Sequence, residues 1–562
     1  MNRRKFIKNS SLTIVSLMLS TSFSQAQNTD KQPNIIVIVA DDVSPAYVGC
    51  YGGKTPTPHL DKLATNGAKF TNAYCVSPLC NPSRYNLLTG QFAGRNPNVY
   101  ENTKQDQQYH LMQSTTWTDS DPSIARTMKN AGYFTGYIGK WHSNFELEGS
   151  LEIPSGLDKD APKTTRLLKK RHDKHVKTVK QISGFDYVDN LSVGNLDGKK
   201  KTNPWMGFHN PEWQTQGGLD FISEAVKKDK PFFLHLANSI PHSPDNIKSL
   251  EQDNRYTQAG KLDEPLTCHP RRKTVVERLK KAGLNTNGPI GSINAGTIVL
   301  DDQLGAIQKL LEEKGILENT IIIWLADHSI YGKGAGYAAG IHVPMIVSWP
   351  KMVKPNQEIE TPVSLVDLFK TCTAVGDAKL PDDQIDGENL MPLMMGKTSE
   401  RAPVYQEINW FRGIIKGKYH YVAFRPPQSA LEKMQNGEVD YAIDQSFRDM
   451  RNIFGDLNLP FKPGYFDADQ LYDLEVDPLE RNNLAYLPAY AGKVKEMKAE
   501  LNKILETFER PFPLEVPEFM NSAKYYELVA ERKKLAEKRG HYPEKYDAER
   551  IFNYNLFDPL AE

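Results

Sequence analysis

Three continuous apolar runs constrain the fold of this chain more than any other feature: "PNIIVIVADD" (33–42), "KPFFLHLANSIPHSP" (230–244) and "NTIIIWLADHS" (319–329). A run without polar alternation suits a strand buried on both faces, as in a parallel sheet covered by helices. Each run ends in residues able to bind metals or move protons: Asp41 and Asp42, His242, and Asp327 with His328. Ligands of open α/β sheets gather at the carboxyl ends of strands. The runs therefore predict an α/β fold with one chemically active edge. Helical patterns lie between them, at 124–133 and at 296–315, the second stopping at Gly315, a residue suited to a helix end.

A chain of 562 residues exceeds one ordinary domain. The texture predicts an export signal over 1–27 and a large α/β domain over 31–400, with a mostly parallel central sheet flanked by helices. A smaller C-terminal α+β subdomain follows over 401–510, then an extension over 511–562 packing on the body. Short alternating runs at 411–424 and 469–485 read as a small antiparallel sheet, with a helix near 488–508 and a charged helical stretch at 521–539. The polar segment 145–215, with "RLLKKRHDKHVK" (166–177) and "DGKKKTNPW" (197–205), reads as an insertion or long loops over the site.

Charge is balanced, 69 basic against 69 acidic residues, which argues against a nucleic-acid binder. No internal stretch approaches the roughly 20 apolar residues of a membrane helix, so an integral membrane protein is not expected. The N-terminus "MNRRKFIKNSSLTIVSLMLSTSFSQAQ" reads as a cleaved export signal, twin-arginine or ordinary secretory, and predicts a periplasmic or secreted protein. The first cysteine is Cys50, so a lipid anchor near the cleavage site is not expected. Cys50, Cys75, Cys80, Cys268 and Cys372 are an odd set, leaving at least one thiol unpaired within the chain. Cys50–Cys75 pairing stays open.

Cys80 lies in "SPLCNPSRYNLLTG" (77–90). Its "CNPSRYNLLTG" resembles the sulfatase signature, Cys/Ser-x-Pro-x-Arg followed by Thr-Gly, in type I sulfatases of the alkaline-phosphatase-like superfamily. The resemblance runs over roughly 33–485 and includes "ADD" (40–42), "GKWH" (139–142), "PHSP" (241–244), "ADH" (326–328), "VPMIVSWP" (343–350) and "LYDLEVDPLERNNLA" (471–485). It implies an exported polysaccharide sulfatase whose Cys80 is oxidised to Cα-formylglycine by a formylglycine-generating or sulfatase-maturating enzyme.

The chemistry asks for these residue types. A sulfate ester is an anion with a poor leaving group, so its hydrolysis needs charge neutralisation, a strong nucleophile and a proton for the departing oxygen. One gem-diol oxygen of formylglycine attacks sulfur, and the other collapses to the aldehyde and ejects sulfate, a route closed to serine. Asp41, Asp42 and Asp327 are hard oxygen donors; by resemblance they hold one Ca²⁺ with residue 80 and His328, a softer ligand. Taken alone, Asp41-Asp42 also reads as a helix cap. The mapping further implies that Arg84 supports formylglycine and the metal site, and that Lys140 contacts sulfate and formylglycine. His142 would take the gem-diol proton, while His242 and Lys333 would bind sulfate and protonate the leaving oxygen.

Three positions depart from the family's pattern: Ser329 replaces the usual glycine, Ala338 the usual glutamate and His342 the usual arginine. The implied substrate is a sulfated polysaccharide, algal or glycosaminoglycan, cut from an oligosaccharide end. The basic segment 166–177 and "HPRRK" (269–273) either line a groove for it or are solvated surface. Trp205, Trp213 and Trp410 either stack on sugar or pack in the core. His110, His172, His175, His209 and His269 are left as surface or subsite residues. Rival readings are a phosphoester or phosphonate hydrolase of the same superfamily, and a catalytically silent carbohydrate-binding homologue.

Overall fold

The computed structural model describes residues 31–101, 111, 115–143, 153–154, 156–196, 207–269, 271–334, 336–381, 384–398, 400–436 and 464–538. The proposed export signal, Trp205 and His110 lie outside them.

The predicted runs form β1 (Asn34–Asp41), β5 (Phe232–Pro241) and β8 (Thr320–Ala326), each buried along nearly its whole length. They are neighbours at the centre of a nine-stranded sheet, in the order β8-β1-β5. Both pairings are parallel, with Ala40 opposite Ala326 and Asp41 opposite Pro241. This register ends the three strands at one level, so the residues that follow them emerge together. Beyond β5 lie β3 (Phe134–Trp141) and β4 (Tyr187–Val193), also parallel. On the other side, β9 (His342–Ser348) and β2 (Ala68–Tyr74) are joined by antiparallel pairings. The sheet is thus mostly parallel, as the unbroken runs predict.

The segment 145–215 is not simply an insertion. It contains the 22-residue helix Pro162–Ser183 and the edge strand β4. The buried face of that helix is Thr164, Leu168, His172, His175, Val179 and Ser183. Two histidines and three small polar or apolar residues hid its amphipathic period. His172 Nε2 accepts the Leu191 amide at 3.1 Å, tying the helix to β4. His175, His209 and His269 are buried as well, so none of the four described histidines in this group is a surface residue.

The C-terminal sheet is antiparallel, made of Val404–Ile408, Phe411–Lys416, Tyr419–Phe424 and Asp469–Asp473 in that order. The helix Ala491–Leu505 lays Met497, Leu501 and Leu505 against its Ile414 and Tyr421. The charged stretch forms the helix Ala523–Lys538. No helix among the described residues is long and apolar enough to cross a membrane. All five cysteines are free thiols, so Cys50 and Cys75 are not paired. Trp213 and Trp410 are buried and cannot stack on an external sugar.

His235, on β5, is buried with its ring stacked on Tyr137 at 5.3 Å. Burial pushes its imidazole down to about 3, and the Arg84 charge acts in the same direction. The folded value lies below the ordinary value of about 6.5, so the unfolded chain takes up a proton that the fold resists. This contribution to stability is complete above pH ~6.5 and is lost at about 1.4 kcal/mol per unit as pH falls toward 3. His235→Phe keeps the stacked ring and is expected to flatten this part of the acid limb. Urea unfolding near pH 7 and near pH 4 measures it, and an unchanged slope would rule the contribution out.

Candidate active site

Six chain segments deliver the site. Asp41 ends β1, and Asp42 follows in the left-handed region at φ 71°, a conformation aspartate tolerates better than most residues. Asp327 and His328 follow β8, and the Asp327 amide donates to the Ala40 carbonyl at 3.0 Å, locking the two strand ends together. His242 follows β5, and Lys140 and His142 come from the end of β3. Gly139, just ahead of Lys140, has φ 99° and lies so close to the Ala237 carbonyl that a Cβ there would clash. The glycine of "GKWH" is therefore what lets β3 deliver Lys140.

Cys80 opens the helix Cys80–Thr89, every residue of which is buried. Its thiol sits where the helix's free amides and positive dipole end favour an anion. Arg84 lies one turn later on the same face. Cys80 Sγ is 3.4 Å from Asp41 Oδ1, 3.2 Å from His328 Nε2 and 3.7 Å from Lys333 Nζ. Donor atoms of Asp41, Asp42, Cys80 and His328 all lie within 4.8 Å of one another, and all four residues are buried.

The charges interlock. Arg84 donates Nε–H to Asp327 Oδ2 at 2.9 Å and Nη2–H to the Asn238 carbonyl at 3.0 Å, with Asp41 at 3.5 Å. Its Nη1 is buried without a protein acceptor. Lys140 pairs closely with Asp41 Oδ2 and donates to Asn195 Oδ1 at 2.6 Å. Lys333 Nζ spans both Asp42 oxygens at 2.8 and 2.9 Å. Burial alone would raise the Asp41 and Asp42 carboxyls. Lys140 and Arg84 hold Asp41 well below the usual range, and Lys333 and His242 lower Asp42.

His328 answers the same field. Burial disfavours its cation, yet the charges of Asp327, Cys80 and Asp42 outweigh it and push the imidazole up to about 9. Its Nδ1–H donates to the Ser329 carbonyl at 3.0 Å. Nε2, which also carries a proton in this cation, points at Cys80 and Asp42 and would give that proton up to ligate a metal. Each carboxylate here already faces a protein cation, so a bound metal would share or displace those partners. The donor set of carboxylate oxygens, an imidazole and residue 80 fits a metal ion of the Ca²⁺ type in its oxygens, with one softer ligand. Asp327 stands apart from the four-donor group. Its Oδ1 accepts the Asp42 and His328 amides at 3.2 and 2.9 Å, and Oδ2 takes Arg84.

A second acidic group, His59 with Asp301 and Asp302, is differently satisfied. Arg278 forks Asp302 at 2.9 and 2.5 Å, and Asp301 accepts the Leu60 amide at 2.8 Å.

Several supporting residues carry no sequence motif. Asn195 follows β4, the edge strand within the polar segment 145–215. His209 bonds the His242 carbonyl through Nε2 at 2.8 Å and Ser239 through Nδ1 at 3.1 Å. Glu480 accepts the Ala338 amide at 2.8 Å and binds His420 Nδ1 at 2.5 Å, so the C-terminal sheet braces the loop that carries Lys333. Arg272 and His269 of "HPRRK" turn inward, to Glu212 at 2.6 Å and to Thr215 at 2.5 Å.

Ser329, one of the departures from the family's pattern, gains a function from the fold. Its Oγ meets Ser44 Oγ at 2.5 Å, and beside it the Tyr47 and Tyr331 hydroxyls bond to each other. The two tyrosine rings stack with centroids 5.9 Å apart. These contacts clasp the loop after β1 to the loop after β8. Ser329 Oγ also accepts the Tyr331 amide at 3.2 Å, so Ser329→Gly removes two buried hydrogen bonds and is expected to lower stability by about 1–2 kcal/mol. Thermal unfolding checks this; no loss would mean that the clasp contributes nothing.

A family model described as Sulfatase matches residues 33–378, more than half of the chain. The chain belongs to the sulfatase family. It is accordingly a sulfuric ester hydrolase. A second model, N-sulphoglucosamine sulphohydrolase, C-terminal, matches residues 326–432. The sulfatase is 26% identical over 570 residues to the N-acetylgalactosamine-6-O-sulfatase of Bacteroides thetaiotaomicron, covering 86% of this chain and 94% of that one. It is 26% identical over 513 residues to arylsulfatase A of Homo sapiens, covering 84% and 87%. Among solved structures, one from work on glycosaminoglycan metabolism by Bacteroides thetaiotaomicron matches with a TM-score of 0.57 at 22% identity, covering 84% and 99%. A crystal structure in complex with k-i-k-neocarrahexaose matches at 0.55 and 19%, covering 91% and 100%. These two likenesses are of fold.

Proposed function

We propose that this is an exported, Ca²⁺-dependent sulfatase that uses formylglycine at position 80 to release sulfate from oligosaccharides of a sulfated polysaccharide. The observation that carries the reading is the position of Cys80: a buried helix start within 3.4 Å of Asp41 and His328, and 3.7 Å from Lys333. The Cys80 thiol stands in for the formylglycine oxygens. The modified residue would supply a gem-diol nucleophile with its own release step, and a bound Ca²⁺ would stabilise anionic oxygen there. Asp41, Asp42 and His328 would hold the cation, with Asp327 positioning them through the Asp42 and His328 amides. Among the described residues, Asp327 Oδ2 accepts only Arg84, so its remaining lone pair would let Asp327 join the ligands without losing the amide bonds on Oδ1.

The cationic residues would orient the ester. Lys140, Lys333 and Arg84 Nη1 offer donors to sulfate oxygens, in a buried setting where such bonds are strong. Burial, together with Lys140 and Arg84, holds the His142 imidazole well below its usual value, so it is neutral and suited to accept the gem-diol proton. Burial pushes His242 down to about 4, with Lys333 acting alike. An anionic ester beside His242 acts in the opposite direction, coupling its protonation to substrate binding. That is the behaviour needed in an acid for the leaving oxygen.

The substrate class draws on the relatives. The N-acetylgalactosamine-6-O-sulfatase relative is matched over 94% of its length, an N-acetylglucosamine-6-O-sulfatase of the same organism is 23% identical, and an ulvan-active sulfatase of Formosa agariphila is 23% identical. They support a sulfated hexosamine or algal sugar. Mass spectrometry of the peptide spanning residues 77–90 tests the modification. Protein made with a maturation enzyme should show H₂S lost and oxygen gained at Cys80, and an intact thiol would refute the mechanism. Aryl sulfate against aryl phosphate turnover tests the reaction, since a dominant phosphatase rate would favour the phosphoester reading. Defined sulfated oligosaccharides, with released sulfate identified, then locate the sugar and the position.

A further inference from the structure

We infer that the outward face of the helix Pro162–Ser183 is a docking track for a linear sulfated polysaccharide, holding the polymer whose end enters the site. The helix carries eight Lys and Arg residues and a single acidic one, Asp173, in a chain of zero net charge. Seven of the eight cations are exposed: Lys163, Arg166, Lys169, Lys170, Lys174, Lys177 and Lys180. Lys163, Arg166, Lys170, Lys174 and Lys177 follow one another at spacings of three and four, so they form one stripe. At ~1.5 Å per residue the 22-residue helix extends about 33 Å.

Helix stability does not explain this pattern. Arg166 and Lys170, like Lys170 and Lys174, are like-charged pairs four apart, an arrangement that destabilises a helix. The first turn has no acidic residue and carries Lys163, which opposes the helix dipole. Ala161 at the cap position supplies no side-chain hydrogen bond. Alternating Glu and Lys would have served the fold better. A charge arrangement that costs the fold something is explained by a polyanion that neutralises it. Among the described residues, none of the large exposed apolar side chains lies on this helix, so its face suits a charged polymer and not insertion into a lipid surface.

The placement favours the substrate polymer over another polyanion. The helix turns at Gly184 into β4 and runs antiparallel to it, with His172 level with Leu191. Its first turns therefore project toward the carboxyl edge of the sheet, where the site lies. There Thr165 receives the Lys261 amide at 3.3 Å, and Asp160 binds Tyr256 at 2.7 Å. Lys159, Tyr256 and His209 line one small cavity, and His209 bonds the His242 carbonyl. The stripe thus begins beside a wall of the site and leads away from it. The inference rests on the sulfated-polysaccharide reading.

The test uses the full chain and needs no turnover. Dextran sulfate, unsulfated dextran, duplex DNA and phosphatidylserine vesicles are titrated against wild type and against Lys163→Glu/Arg166→Glu/Lys170→Glu/Lys174→Glu. A control variant carries Lys281→Glu/Lys314→Glu/Lys354→Glu/Lys397→Glu. The track variant should lose at least about tenfold in dextran sulfate affinity and show a shallower salt dependence. Its unfolding temperature should be equal or higher, and aryl sulfate kcat/KM should stay within about twofold. Equal affinity in the track variant, or an equal loss in the control, would overturn the track. Binding of wild type to DNA, vesicles or unsulfated dextran as tight as to dextran sulfate would overturn the choice of polymer. A wild type that binds dextran sulfate by this face but hydrolyses no aryl sulfate would refute the catalytic proposal alone.

Discussion

Cys80→Ala is expected to abolish sulfate release, lowering kcat/KM by at least about 10⁴-fold. Stability should barely move, because the side chain makes only thiol contacts at 3.2 to 3.7 Å. Cys80→Ser separates two functions of the proposed gem-diol. Serine offers an attacking oxygen but no second hydroxyl to eject sulfate, so the variant should stop after one turnover as a sulfated enzyme. Intact-mass measurement after incubation with an aryl sulfate detects that species. Sustained turnover by the alanine variant would remove residue 80 from the chemistry.

The second large effect is structural. Arg84→Met removes the guanidinium from between Asp327 at 2.9 Å and Asp41 at 3.5 Å, and also frees the Asn238 carbonyl at 3.0 Å. All of these groups are buried, so two carboxylates lose a counter-charge in a place where water cannot replace it. Breaking one side of a buried ionic network costs about 3–5 kcal/mol, far above the ordinary effect of a substitution. Arg84→Lys should fall between, since one ammonium cannot fork across two carboxylates and a carbonyl. Urea unfolding with an unchanged slope measures the loss. A midpoint equal to wild type for Arg84→Met would mean that the two carboxylates are not held as anions by this residue.

How far the site could be read from sequence differs residue by residue. Asp41, Asp42, His242, Asp327 and His328 were legible because each follows an apolar run that can only be a buried strand. Lys140, His142, Cys80 and Arg84 were legible only through motif resemblance, because β3 and the Cys80 helix have no distinctive period. Lys333 was likewise legible only through the resemblance, and its ammonium reaches both Asp42 oxygens. Asn195, His209, Ser44 and Glu480 were not legible. Each acts through a partner tens or hundreds of residues away, and no local pattern encodes such a partner.

The helix Pro162–Ser183 is the clearest failure of local reading. Its buried face uses His172, His175, Thr164 and Ser183 where a periodicity test looks for Leu and Val. Those histidines stay neutral inside because burial lowers both, His175 to about 4, so the cost of interring them is small near neutral pH.

The sequence alone determined the central three strands, the end of each at which chemistry sits, and the residue types gathered there. Those properties depend on each segment's own burial and on short spacings. Only the tertiary structure decided which cation neutralises which carboxylate, that Asp327 serves Arg84 and two amides, and that Ser329 clasps Ser44. Such choices are set by a few ångströms between segments hundreds of residues apart, and electrostatic energies in a buried site change steeply over that distance.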